Sequence, residues 1–111
     1  MEFDEYQRKT KETAIYPRDN PITALSYATL GLVGEAGEIA NKVKKIIRDQ
    51  GGDINQDVKD KLGKELGDVL WYVSALATEL GVNLSTVAND NLDKLFSRKE
   101  RGTLKGSGDN R

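Results

Sequence analysis

Two pairs of acidic residues, each spaced three positions apart beside apolar residues, have the types and spacing that could support chemistry. They are Glu35 with Glu38 in "GLVGEAGEIANKVKKI", and Glu65 with Asp68 in "KLGKELGDVLWYVSAL". The two stretches align with a shift of 30 positions, and on a helix each pair lies at the edge of an apolar stripe. If the stripes pack together, four carboxylates meet and repel one another unless a cation is present. The pattern therefore predicts a divalent metal with oxygen ligands, Mg²⁺ or Mn²⁺.

A single E-x-x-E motif has a simpler interpretation. Glutamate favours helices, and two acids at this spacing repel each other only weakly in water, so one such pair is typical of a solvated helix edge. Two pairs at matching positions on two similar helices are a more specific signal. We therefore favour the metal site over the solvated edge.

The composition limits what other chemistry is available. Among 111 residues there is no cysteine and no histidine, which excludes a disulfide framework, a thiolate metal site and the commonest zinc ligand and general base. A net charge of -1 gives no basic field to hold nucleic acid. No apolar run approaches the length of a membrane span or forms a signal core. We therefore expect a soluble, cytoplasmic protein that binds neither nucleic acid nor membrane.

Helical periodicity runs through the chain, and no strand pattern competes with it. Each predicted helix is bounded by a capping residue, a proline or a glycine. The segments are 2–16 before Pro17, 21–50 between Asn20 and Gly51, a third from a cap at Asp53 or Asn55 to Gly81, and a fourth after a cap at Asn83 or Ser85. The fold is predicted to be an all-α bundle of about four helices. The second and third helices are paired in it, and oligomerisation completes a core that a short chain cannot fill alone.

The acid motifs and the residues that follow them resemble a known family. The stretches "GEAGEIANKVKK" and "KELGDVLWYVSALATELGVNLSTVANDNLDKL" are similar to the MazG-like nucleotide pyrophosphohydrolases, an all-α group with E-x-x-E, a variable gap and E-x-x-D. The resemblance runs from about Tyr16 to the end of the chain. It implies magnesium-dependent hydrolysis of a standard or modified (deoxy)nucleoside triphosphate to monophosphate and pyrophosphate, by a homodimer or homotetramer. It also implies that the four acids bind the metal, and that one of them, or the metal, activates the attacking water.

The resemblance further implies a set of substrate-binding residues. Asn91, Lys94 and Arg98 match the family's Asn, Lys and Arg positions, and their spacing places them on one face of the fourth helix. They are expected to bind the triphosphate, although a solvated basic face is the alternative. Lys42 lies beside the acids on the helical wheel and is expected either to contact phosphate or to neutralise its acidic neighbours.

Two aromatic residues follow the second acid pair. Tyr72 is predicted to pack in the ordinary way for an aromatic residue at a helix edge. Trp71 points away from the apolar stripe, which indicates a second buried surface on this helix. We expect a partner subunit to cover that surface, with a platform for a nucleobase as the alternative.

We predict a single domain over residues 1–101 and a Gly-rich tail over residues 102–111. The tail is expected either to be disordered or to close on the substrate as an anion-binding cradle that uses Lys105 and Arg111.

Two other functions remain open for the domain. One is a pyrophosphohydrolase for another nucleotide, such as phosphoribosyl-ATP or a dUTP-like substrate. The other is a non-catalytic helical dimerisation module whose acids bind a structural metal or face solvent.

Overall fold

A computed structural model, which describes all 111 residues, contains four α-helices and no strand. The helices are α1 (Phe3–Thr10), α2 (Pro21–Gln50), α3 (Gln56–Glu79) and α4 (Leu84–Glu100), with a 3-10 turn at Lys11–Thr13 after α1. The all-α prediction is confirmed. The predicted pairing of α2 with α3 is also confirmed, because these two long helices run antiparallel and share the most extensive packing in the chain. None of the helices has the length and apolar character needed to cross a membrane.

The ends of α2 and α3 follow from local capping. The Asn20 side chain accepts a hydrogen bond of 2.9 Å from the backbone N–H of Thr23, which satisfies one of the free donors at a helix start. Gly51 ends α2 in the left-handed conformation, with φ 61°. At the start of α3, Asn55 rather than Asp53 is the cap, since its side chain accepts from the N–H of Val58 at 3.0 Å.

The first helix is shorter than the sequence predicts. It ends at Thr10, whose hydroxyl lies 2.8 Å from that of Ser74 on α3. Tyr16 is buried in the core, yet in a continued helix it would lie about 240° round the axis from Thr10 and would point away from α3. The chain leaves the helix so that both side chains can face the α2–α3 pair.

The core is built from small residues and leaves much apolar surface exposed. Ala24 and Ala28 on α2 pack with Ala75 on α3 and with Tyr16, which lets the two backbones approach closely. The radius of gyration is 17.0 Å, against about 13 Å for a compact globule of this length. The large side chains that remain exposed on α2 and α3 include Leu30, Val33, Ile47 and Leu66.

The N-terminal segment is fastened to the rest of the chain by polar side chains. Buried Gln7 donates from Nε2 to the carbonyl of Val82 at 2.9 Å, and its Oε1 accepts from the N–H of Leu84 at 2.8 Å. Gln7 therefore ties α1 to the turn between α3 and α4. Trp71 donates from Nε1 to the hydroxyl of Thr13 at 2.8 Å. The surface that we expected a partner subunit to cover is thus covered in part by the chain's own N-terminal segment.

Tyr16 makes the free energy of unfolding depend on pH in the alkaline range. Its hydroxyl donates to Glu79 at 2.7 Å, and burial together with this carboxylate raises the pKa of Tyr16 from 10.0 to about 12. Since the folded state holds the proton more tightly, the stabilisation is complete below pH 10 and is lost as the pH rises towards 12. We expect urea titrations to show a loss of up to about 3 kcal/mol across this window. Tyr16→Phe should lack that component, and an unchanged pH profile in this variant would contradict the assignment.

Candidate metal centre

The antiparallel packing of α2 against α3 brings three carboxylates together. Carboxylate oxygens of Glu35, Glu65 and Asp68 all lie within 4.8 Å of one another. Glu38, the fourth acid of the predicted set, is exposed and lies outside this group. On a helix it sits about 60° farther round the axis than Glu35. The structure therefore assembles one member of the first pair and both members of the second.

The electrostatics of this cluster show the mutual repulsion that the sequence predicts. Burial, then the carboxylates of Asp68, Glu65 and Glu38, raise the pKa of Glu35. Such a shift means that the charged form of Glu35 is disfavoured in the folded protein. A divalent cation among these oxygens would relieve the repulsion, and carboxylate oxygens are the ligands that Mg²⁺ and Mn²⁺ prefer. The residues present therefore fit such an ion.

Lys42 is the cation that contacts the cluster. Its ammonium nitrogen lies 3.7 Å from a carboxylate oxygen of Glu65, and both side chains are partly exposed. This ion pair is consistent with the predicted role of neutralising the acids, and the predicted contact with phosphate stays a prediction. Because its side chain is long and flexible, Lys42 can also reach other anions at the edge of the cluster.

A cleft of about 340 Å³ opens beside the acids. It is lined by Thr13, Glu35, Asp68, Trp71 and Tyr72. The Trp71 and Tyr72 rings meet edge to face with centroids 5.0 Å apart. Burial is the largest cause that raises the pKa of the Tyr72 hydroxyl, and nearby Glu35 adds to it. The cleft thus has an aromatic wall next to an acidic one.

The sequence predicts only part of this lining. Tyr72 packs as expected, close against Gly31 of α2, but it also faces the acids. Thr13 was not predicted, because it belongs to the N-terminal segment and reaches the cleft only through its hydrogen bond with Trp71. No local motif marks a contact between residues so far apart in sequence. The position of Tyr72 four residues after Asp68, one helical turn away, is a signal that does point to the cleft.

The structure does not bring the predicted substrate-binding face of α4 to the acids. Neither hydrogen bonds nor ion pairs join Asn91, Lys94 or Arg98 to the cluster. Instead Lys94 and Arg98 lie 3.5 and 3.6 Å from the carboxylate of Asp109 in the C-terminal tail. The tail folds against the end of α4 and does not cover the acids.

Comparison with known proteins identifies the family. The sequence profile of the MazG nucleotide pyrophosphohydrolase domain matches residues 24–103. The chain belongs to the MazG family. The MazG match includes all four acids of the two motifs and runs through α4. This MazG chain is also 60% identical over 114 aligned residues to "Gene 37 protein" of Mycobacterium phage L5, with all of both chains covered. The name of that phage protein states no activity, and no solved structure matches the chain.

Proposed function

We propose that this MazG protein is a magnesium-dependent pyrophosphohydrolase that converts a (deoxy)nucleoside triphosphate to the monophosphate and pyrophosphate. One observation carries the proposal: Glu35, Glu65 and Asp68 converge on the α2–α3 pair within the region that matches the family. Membership of the family supports nucleotide pyrophosphohydrolase activity in general. The triphosphate substrate and the identity of the metal are our extension of it.

The acids and Lys42 have separate parts in this proposal. Glu35, Glu65 and Asp68 would hold the ion. Glu38, the fourth acid of the motifs, is exposed and is proposed to assist from the edge of the cluster. When bound, magnesium neutralises phosphate charge and lowers the pKa of a water molecule. Lys42 now pairs with Glu65. Its flexible ammonium group would exchange this contact for a phosphate oxygen of the bound substrate.

The cleft beside the acids supports binding of the nucleoside. Its aromatic wall, formed by Trp71 and Tyr72, offers surfaces on which a nucleobase can stack. Glu35 and Asp68 line the same cleft, so a nucleotide whose base lies on the aromatic wall has its phosphates close to the acids. We propose that the base occupies this cleft during hydrolysis.

We also propose that the active protein is a homodimer or homotetramer. Leu30, Val33 and Leu66 on the paired helices α2 and α3 are each more than 60% exposed, and large exposed apolar surface supports an interaction between subunits. Asn91, Lys94 and Arg98 are proposed to bind substrate phosphates. Because they do not contact the acids of their own chain, a second subunit is the natural source of such a contact.

The boundaries and the cellular setting are proposals as well. We propose that residues 1–101 are the catalytic domain and residues 102–111 an appended tail. The nucleotide is the proposed partner, with neither nucleic acid nor membrane involved, and the reaction is placed in the cytoplasm.

Incubation with a panel of nucleotides tests the function. With millimolar Mg²⁺ we expect at least one nucleoside triphosphate to yield monophosphate and pyrophosphate, identified by chromatography and ³¹P NMR, and a chelator should stop the reaction. Release of a nucleoside diphosphate and inorganic phosphate would show that the terminal phosphoanhydride bond is cleaved instead. An absence of turnover across triphosphates, phosphoribosyl-ATP and dUTP would favour the non-catalytic dimerisation module.

A further inference from the structure

The C-terminal tail places a carboxylate between two cations of α4. Asp109 lies 3.5 Å from the ammonium group of Lys94 and 3.6 Å from Nη2 of Arg98. The same Nη2 donates to the backbone carbonyl of Asp109 at 2.9 Å. Arg98 is only 4% exposed. The residues next to Arg98 on α4 are exposed, so the tail is what covers this buried arginine and pairs its charge.

The arginine is not fully satisfied by this contact. Its Nε is buried and has no hydrogen-bond partner, and a buried donor without an acceptor is costly. Guanidinium presents Nε and Nη donors as a planar fork that suits two parallel bonds to a carboxylate or a phosphate. Asp109 engages one arm of that fork. A phosphate group, with several terminal oxygens, could engage both arms and also reach Lys94.

The tail is held in a way that permits release. Arg111 donates to the carbonyls of Thr103, Leu104 and Gly108 within the tail. Arg98 and Arg101 at the end of α4 donate to the backbone carbonyls of Asp109 and Arg111, so none of these bonds depends on the Asp109 carboxylate. The Asp109 side chain is 88% exposed. Its ion pairs are therefore at the solvent edge, where such pairs contribute little to stability, and a stronger anion can replace it.

We propose that Asp109 is an intramolecular competitor for phosphate at Lys94 and Arg98. The tail occupies this anion site until a nucleotide or pyrophosphate displaces it. The inference rests on the proposed function insofar as that function assigns these two cations to the substrate. It differs from the alternative in which Lys105 and Arg111 of the tail bind the substrate, because here the tail contributes an anion.

Pyrophosphate binding in the presence of a chelator tests the competition without relying on catalysis. Under these conditions the acid cluster has no metal and repels pyrophosphate, so calorimetry reports binding at cations such as Lys94 and Arg98. Asp109→Asn should bind pyrophosphate roughly three- to tenfold more tightly than the parent chain, because an exposed ion-pair competitor is removed. Glu100→Gln is the matched control: it removes one carboxylate near Arg98 in sequence that forms no ion pair, and its affinity should equal that of the parent. Asp109→Glu keeps the carboxylate and should bind pyrophosphate about as weakly as the parent chain.

Steady-state kinetics extend the test to the substrate. Asp109→Asn should lower KM for the nucleotide by a similar factor and leave kcat unchanged, since the tail competes with binding and takes no part in the reaction. Equal pyrophosphate affinities in Asp109→Asn and the parent, or no binding by either, would overturn the inference even if nucleotides are hydrolysed. Tighter pyrophosphate binding by Asp109→Asn without hydrolysis of any nucleotide would support the inference and contradict the proposed function.

Discussion

Replacing Asp68 by asparagine is expected to lower kcat/KM roughly 10²- to 10⁴-fold. A positioned divalent ion stabilises the transition state of hydrolysis by several kcal/mol, and the substitution removes one of its proposed ligands. The substitution keeps the shape of the side chain and removes one of the three clustered charges. For the same reason it should raise the stability of the metal-free protein by up to about 1 kcal/mol, as expected for exposed charges. Melting curves should show that Mg²⁺ stabilises the parent and has little effect on the variant.

Two further substitutions show whether the effect belongs to the cluster. Asp60→Asn also removes a carboxylate from α3, but Asp60 only accepts a hydrogen bond from Gln56, so activity should be retained. Glu38→Gln should also reduce turnover, because Glu38 belongs to the E-x-x-E motif within the region that matches the family. It should stabilise the metal-free chain less than Asp68→Asn, since Glu38 lies outside the cluster. Full activity in Asp68→Asn would exclude the proposed site.

Gly31→Ala is expected to destabilise the protein by about 1–3 kcal/mol, the range for overpacking a filled contact. A Cβ at this position would overlap the ring of Tyr72. That ring also meets Trp71 edge to face, so moving it away from the new methyl group would disturb a second contact. Since Tyr72 and Trp71 line the cleft beside the acids, the displacement should also raise KM for the nucleotide. Urea unfolding at fixed protein concentration and steady-state kinetics measure the two effects.

Gly34→Ala supplies the matched control on the same helix. A Cβ there meets no atom within 4 Å, and alanine is preferred to glycine within a helix by up to about 1 kcal/mol. This variant should therefore be more stable than the parent. If Gly31→Ala were as stable as Gly34→Ala, the close approach of Tyr72 to α2 would not restrict this position.

The long helices could be predicted from the sequence because their ends depend on local residues. Asn20 caps α2 and Gly51 ends it within a few residues of chain, and neither interaction requires knowledge of the rest of the fold. The pairing of α2 with α3 was also predictable, since matching apolar stripes must be buried against something. The same reasoning placed Glu35 near Glu65 and Asp68. It also predicted that Glu38 joins them, whereas the structure leaves Glu38 outside the group.

The remaining features depend on contacts that no local pattern encodes. Thr10, where α1 ends, contacts Ser74, and Trp71 donates to the hydroxyl of Thr13. Each of these contacts joins residues far apart in sequence through ordinary polar side chains. The environment of Arg98 was likewise hidden, because the helical wheel shows which face it occupies but not that Asp109 folds back onto it.

The attachment of the N-terminal helix has a consequence for the order in which the chain can fold during synthesis. Gln7 is made early, but its partners Thr78, Val82 and Leu84 follow 71 to 77 residues later. At about 5–20 residues per second, this helix waits roughly 4–15 seconds for its docking surface to be made. The buried side chains on α1 are Gln7 and Thr10, both polar. A segment whose most deeply buried side chains are polar can spend that interval in water with less exposed apolar surface, the kind on which newly made chains aggregate.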